Sequence, residues 1–341
     1  MTNNPTPPIP EALPTPPRNL RGEKLRVAVP AAAIAFIFLA TVLLQLLLGV
    51  IIGILAPSLA DQAWFSLVFS SIPMYTVAMP LSLLLYRLIP QTSTVERQNK
   101  KLGFLAFLGM IALCFALTFV GSIVSNIVTS LIGALTGEIP EYDLQEITVN
   151  SPLWANLLFI GILAPIMEEI FYRKLIIDRL LPFGDLPAVL LSGIAFGLLH
   201  GNFYQFFYAA AIGILFGYLY IYTGKLRYTV LLHMIVNLIG GVYAPAMLKM
   251  MDLEALESGS FEGILQNLIP LAMMLGYYAF LGACLVGTPI ALVLLWKHIK
   301  FRKAEAPLTK KEWCRVLLIN PGIWFFAAVT VLMFWLNTAS F

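Results

Sequence analysis

The feature that most constrains this chain is a series of stretches without a single charged residue, each running well past eighteen positions. Residues 27–60 contain no Asp, Glu, Lys or Arg. In lipid every backbone N–H and C=O must be paired within the segment, and about 20 apolar residues in a helix cross a hydrocarbon core of about 30 Å. With 60% hydrophobic and 11% charged residues and a mean hydropathy of +0.86, the chain reads as an all-α polytopic membrane protein. Soluble domains carry roughly 25% charged residues. Spans are predicted at 27–60, 64–86, 104–135, 153–177, 187–202, 204–222, 228–246, 264–296 and 316–337, giving about eight to nine transmembrane helices around an intramembrane site. The fifth of these is short and the ninth is weak.

Four regions are expected: a disordered, Pro-rich cytosolic tail (1–26), N-terminal transmembrane helices (27–150), a core carrying the chemistry (151–246), and a C-terminal transmembrane extension with a basic cytosolic loop (247–341). The tail holds seven prolines in its first seventeen positions and cannot bury a core. The run after it is too long for a cleaved signal peptide, whose apolar region is about 7–15 residues. With the tail placed inside, twenty of the 21 Lys and Arg residues fall on one side, leaving only Lys249 opposite. The loops on that opposite side are acidic. This is the positive-inside pattern, and it predicts a cytoplasmic N-terminus; the pattern fits an endoplasmic reticulum as well as bacteria, and a bacterial plasma membrane is the expected setting. The basic stretch 297–315 fits topology control better than binding of anionic headgroups. Cys114, Cys284 and Cys314 have no paired spacing and read as apolar packers.

Against this background Glu168-Glu169-Ile170-Phe171-Tyr172-Arg173 stands out. Each charge in a membrane segment costs roughly 2.5–3.5 kcal/mol on insertion scales, so such groups face a protein interior or a wet cavity. Adjacent residues on a helix point about 100° apart, so Glu168 and Glu169 do not aim at one spot. Glu169 and Arg173, at i and i+4, are spaced for an ion pair, which leaves Glu168 for other work. Two of the three histidines also lie in apolar spans, His200 closing Phe196-x-x-x-His200 and His233 opening His233-x-x-x-Asn237. His298 lies in the basic loop and reads as solvated. His233 and Asn237 share a helix face and can donate to an oxygen that is becoming negative. By residue count, Glu168 and His233 are expected about 10–15 Å below the cytoplasmic surface, with His200 deeper.

These three motifs, in this order and spacing, resemble those of the CAAX protease and bacteriocin-processing family (CPBP, or Abi), intramembrane endopeptidases related to the type II CAAX prenyl endopeptidase. The resemblance covers about 155–245. It implies that Glu168 is the general base activating water, that His200 holds or polarises that water, that His233 and Asn237 stabilise the oxyanion, and that Glu169 and Arg173 support them. It implies a peptide or lipidated protein as substrate and the membrane as partner, with no nucleic acid. The family is described both as metal-free glutamate proteases and as metalloproteases; a zinc site would draw on Glu168, His200 and His233. Metal-free chemistry is favoured, since Glu169, the base left in a zinc scheme, is also the best partner for Arg173. Two other classes use the same residues: a Glu/His-based transporter and a non-catalytic immunity or regulatory protein.

Overall fold

A computed structural model describes residues 20–89, 97–137, 139, 143–296 and 299–338. Residues 1–19 of the tail and His298 lie outside these.

The apolar runs form helices α1 (Arg21–Leu55), α2 (Phe65–Leu88), α3 (Phe104–Thr136), α4 (Leu153–Phe183), α5 (Asp185–Leu199), α6 (Phe203–Thr223), α7 (Leu226–Lys249), α8 (Leu268–Leu295), α9 (Lys310–Leu317) and α10 (Pro321–Asn337). Seven are long and apolar enough to cross a bilayer, and α9 with α10 adds an eighth as a pair bent by 58°. The protein is thus an all-α, multi-pass integral membrane protein. The fifth expected span, α5, has only 15 residues, about 22 Å of helix, and falls short of a full crossing.

At both ends of the chain the helices depart from the sequence reading. Helix α1 starts at Arg21, so residues 21–26 are helical rather than part of the tail. Arg26 is buried and lies 3.8 Å from Glu23 one turn earlier. The ninth span is interrupted near Asn320, whose side-chain amide donates to the carbonyls of Val316 and Lys24. Pro321 then opens α10, a position where its missing N–H has no intrahelical partner to lose.

The basic helix ends meet at one face. Arg97 pairs with Asp178 at 2.9 Å and donates to the Gly224 carbonyl. Gln98 reaches the Lys300 carbonyl, and Arg302 forks onto the buried carboxylate of Asp185 at 2.9 and 3.0 Å. Lys249 lies away from this cluster, donating to the carbonyls of Asn150 and Ser151.

Helices α5 and α6 form a hairpin with a glycine seam. A Cβ on Gly193 would lie 2.6 Å from the Ile214 nitrogen, and one on Gly197 would lie 2.7 Å from the Phe206 carbonyl oxygen. Such small residues let membrane helices approach backbone to backbone. The hairpin turns at Gly201, whose φ of +66° suits a residue without a Cβ. Asn202 caps α6 by accepting from Gln205 N, and Asn337 at the end of α10 donates to the Gly201 carbonyl at 3.0 Å.

Candidate active site

The Glu-Glu pair sits in the middle of α4, between two π-helical stretches, Asn156–Leu163 and Ile170–Ile177. Extra residues of this kind inside an α-helix shift which side chains face inward, and they concentrate at functional sites. The expected span ended at residue 177, whereas the helix continues to Phe183.

Glu169 and Arg173 pair as their spacing predicts. Arg173 Nε lies 2.9 Å from Glu169 Oε2, and a second guanidinium nitrogen lies 3.2 Å from Oε1. Both side chains are 0% exposed. The pair is not self-contained, however. His233 Nδ1 is 3.2 Å from Glu169 Oε1, and Ser192 Oγ accepts from Arg173 while donating to the Tyr172 carbonyl at 3.0 Å. Glu169 therefore orients the imidazole of His233 as well as balancing Arg173.

The Ser192 bridge also fixes the register of α5 against α4. With residue 192 level with residue 172, four residues on along α5 and four back along α4 bring Phe196 level with Glu168. The Phe196 ring is the hub of the site. His200 meets it edge-on at 5.3 Å and His233 at 5.6 Å between centroids, and the Arg173 guanidinium lies 5.3 Å from the same centroid.

This settles the depth mismatch between the histidines. His200 follows the last residue of α5, and its Nδ1 bonds the Phe196 carbonyl at 3.0 Å. Helical side chains lean toward the N-terminus, so the ring folds back one turn to the level of Phe196. With Nδ1 donating, Nε2 of His200 is the nitrogen left for other partners.

Glu168 is 8% exposed and His233 is 6% exposed. His233 Nε2 stands 3.9 Å from Glu168 Oε2, too far for a hydrogen bond, so neither atom is hydrogen-bonded to the other. The other carboxylate oxygen, Oε1, accepts from the Tyr75 hydroxyl at 2.9 Å. The sequence reading assigned Glu168 no partner and did not single out Tyr75. It is one aromatic among many in an apolar span, and nothing in its spacing marks it. Ser192 was missed for the same reason.

Asn237 has a structural partner of its own. Its side-chain amide donates to the Ile160 carbonyl at 3.0 Å, which ties α7 to α4. One of its N–H groups is therefore committed to structure, leaving the second for any other acceptor.

The donor atoms do not form a zinc set. Among the described residues no group of three His, Cys, Asp or Glu side chains is gathered so as to hold a metal ion. Glu168, His200 and His233 each keep one atom without a hydrogen bond among the described residues, Glu168 Oε2 and the Nε2 atoms of the two histidines. A ring N–H bonded to a carboxylate or carbonyl is usual for a metal-ligating histidine, so the fit turns on whether the side chains are gathered. Glu168, His200 and His233 as arranged do not fit the metal.

Residues 150–239 match the family model described as Type II CAAX prenyl endopeptidase Rce1-like. The matched segment contains all three motifs and bears out the resemblance. Tyr75, α8, α9 and α10 lie outside it. No curated protein and no solved structure matches the chain.

Proposed function

We propose that this protein is an intramembrane endopeptidase that hydrolyses a peptide bond of a membrane-associated or lipidated chain, with water activated by Glu168. The observation that carries the reading is the pair Glu168 Oε2 and His233 Nε2, 3.9 Å apart and unspent, each held by a buried partner on its far side.

In this reaction Glu168 Oε2 takes a proton from water as the water oxygen attacks the carbonyl carbon of the substrate. His200 Nε2 holds the water. The carbonyl oxygen, as it turns negative, accepts from His233 Nε2–H and from the second amide N–H of Asn237. Fixed donors in a site shielded from bulk water are the largest usual source of such stabilisation. Glu168 then hands its proton to the leaving amine and returns to its starting state. Arg173 balances the charge of Glu169 within the cluster, which reduces the cost of burying that carboxylate. The basic face of the bundle is the cytoplasmic one in this reading.

The test is comparative: membrane proteomes of deletion, wild-type and Glu168→Gln cells, followed by cleavage of the identified peptide by purified protein. A bond cut by wild type and left intact by Glu168→Gln supports the proposal. Full cleavage by Glu168→Gln removes the general-base role. Ion flux in proteoliposomes without cleavage, or a function retained by Glu168→Gln, turns the reading toward a transporter or a binding protein.

A further inference from the structure

The segment that resembles known endopeptidases begins well after α2, yet α2 reaches the carboxylate on which the chemistry turns. We infer that Tyr75 is a positioning residue of the active site: its hydroxyl holds Glu168 Oε1 and so directs the proton of the attacking water to Oε2. This rests on the endopeptidase reading given above.

The backbone of α2 is built to deliver this side chain. Pro73 opens a π-helical stretch, Pro73–Ala78, and without an N–H it cannot bond the carbonyl four residues earlier. That carbonyl, on Phe69, accepts from the side chain of Gln45 on α1 at 3.4 Å. Tyr75 lies two residues into the altered stretch, 5% exposed, with its ring in the main apolar core. A phenol buried this deeply normally finds a polar partner, and here the partner is the carboxylate of Glu168 at 2.9 Å.

The consequence for the proton is specific. A carboxylate has two oxygens of nearly equal basicity, and a base free to rotate offers either. With Oε1 occupied by a donor, the oxygen on the His233 side is the one that receives the proton. It is also the one from which the proton passes to the leaving amine. Tyr75 keeps its own proton throughout.

The experiment compares wild type, Tyr75→Phe, Tyr86→Phe and Glu168→Gln on one peptide substrate. Tyr86 is a second buried tyrosine of α2 whose hydroxyl has no hydrogen-bond partner among the described residues, so Tyr86→Phe makes the same change without touching Glu168. Tyr75→Phe is expected to lower kcat by roughly 10–100-fold, the kinetic equivalent of one hydrogen bond to a charged group. KM stays unchanged, and Tyr86→Phe matches wild type. Wild-type kcat in Tyr75→Phe, or a raised KM with kcat intact, overturns the assignment while leaving Glu168 as base. The contact is also tested without catalysis, by thermal unfolding of Tyr75→Phe, Glu168→Gln and the double variant. Non-additive shifts support the bond and additive shifts overturn it. A wild type that cleaves nothing overturns the endopeptidase reading, and the role of Tyr75 with it.

Discussion

The side-chain amide of Asn237 donates to the carbonyl of Ile160 at 3.0 Å, and Ile160 stands five residues before Pro165. In the π-helical register of Asn156–Leu163 a carbonyl accepts from the N–H five residues on. For Ile160 that residue is a proline, which has none. Asn237 thus supplies from α7 the donor that α4 lacks, and so sets His233, one turn earlier on α7, against Glu169.

Asn237→Ala is accordingly expected to destabilise the protein by about 1–3 kcal/mol, the cost of leaving a buried acceptor unpaired. Adding Pro165→Ala returns an N–H to α4 and recovers part of that loss. Thermal unfolding in detergent of the two single variants and the double variant measures both effects. A double variant no better than Asn237→Ala would contradict the account.

Arg173→Met leaves Glu169 charged in a fully buried site, at an expected cost of about 3–5 kcal/mol. Arg173→Met with Glu169→Gln removes both charges and is expected to be more stable than Arg173→Met alone. Arg173→Lys does not rescue, because a single ammonium cannot fork to both Glu169 oxygens and also reach Ser192. Yield of folded protein and unfolding temperature report the order.

Gly193→Val forces α5 and α6 apart, since even a Cβ there would lie 2.6 Å from backbone nitrogen. A loss of about 1–3 kcal/mol is expected from overpacking. Because α5 carries Phe196 and His200, cleavage falls further than stability alone explains, which parallel measurement of unfolding and kcat will reveal.

Arg302→Ala removes the guanidinium from the buried Asp185 carboxylate, leaving Gln98 and the residue-302 backbone N–H as its donors, and so loosens residues 299–304 against the start of α5. Limited proteolysis by trypsin from the basic face is expected to cut after Lys303 faster than in wild type. An unchanged cleavage rate would mean that the Asp185–Arg302 bond does not hold this loop.

Cleavage is expected to persist in the presence of zinc chelators, because among the described residues no three His, Cys, Asp or Glu side chains are gathered so as to hold a metal ion. Activity lost to a chelator and restored by zinc would require Glu168, His200 and His233 to regroup.

Much of the architecture was legible because lipid imposes it: length and hydropathy locate helices wherever charge is absent. The Glu169–Arg173 pair followed from i,i+4 spacing alone. What escaped depends on contacts between distant segments. Tyr75 and Glu168 are 93 positions apart, and neither the phenol nor Ser192 carries a sequence signal that separates it from ordinary helix packing. Asn237 was read as an oxyanion donor because its spacing from His233 was visible. The π register that creates a vacant acceptor at Ile160 was not. Asp185 and Arg302 lie at either end of a stretch of four apolar helices, α5 to α8, so their bond was invisible until the start of α5 and the 299–304 segment were placed side by side.

The amide of Asn337 on the Gly201 carbonyl gives the last helix a stake in the chemistry. It braces the corner from which His200 projects, on the far side of the bundle's sequence from the letters that name the family. Cutting the chain down to the ninety matched residues would keep every motif and forfeit this brace, so the catalyst, if harvested in that form, would be an alphabet without its binding.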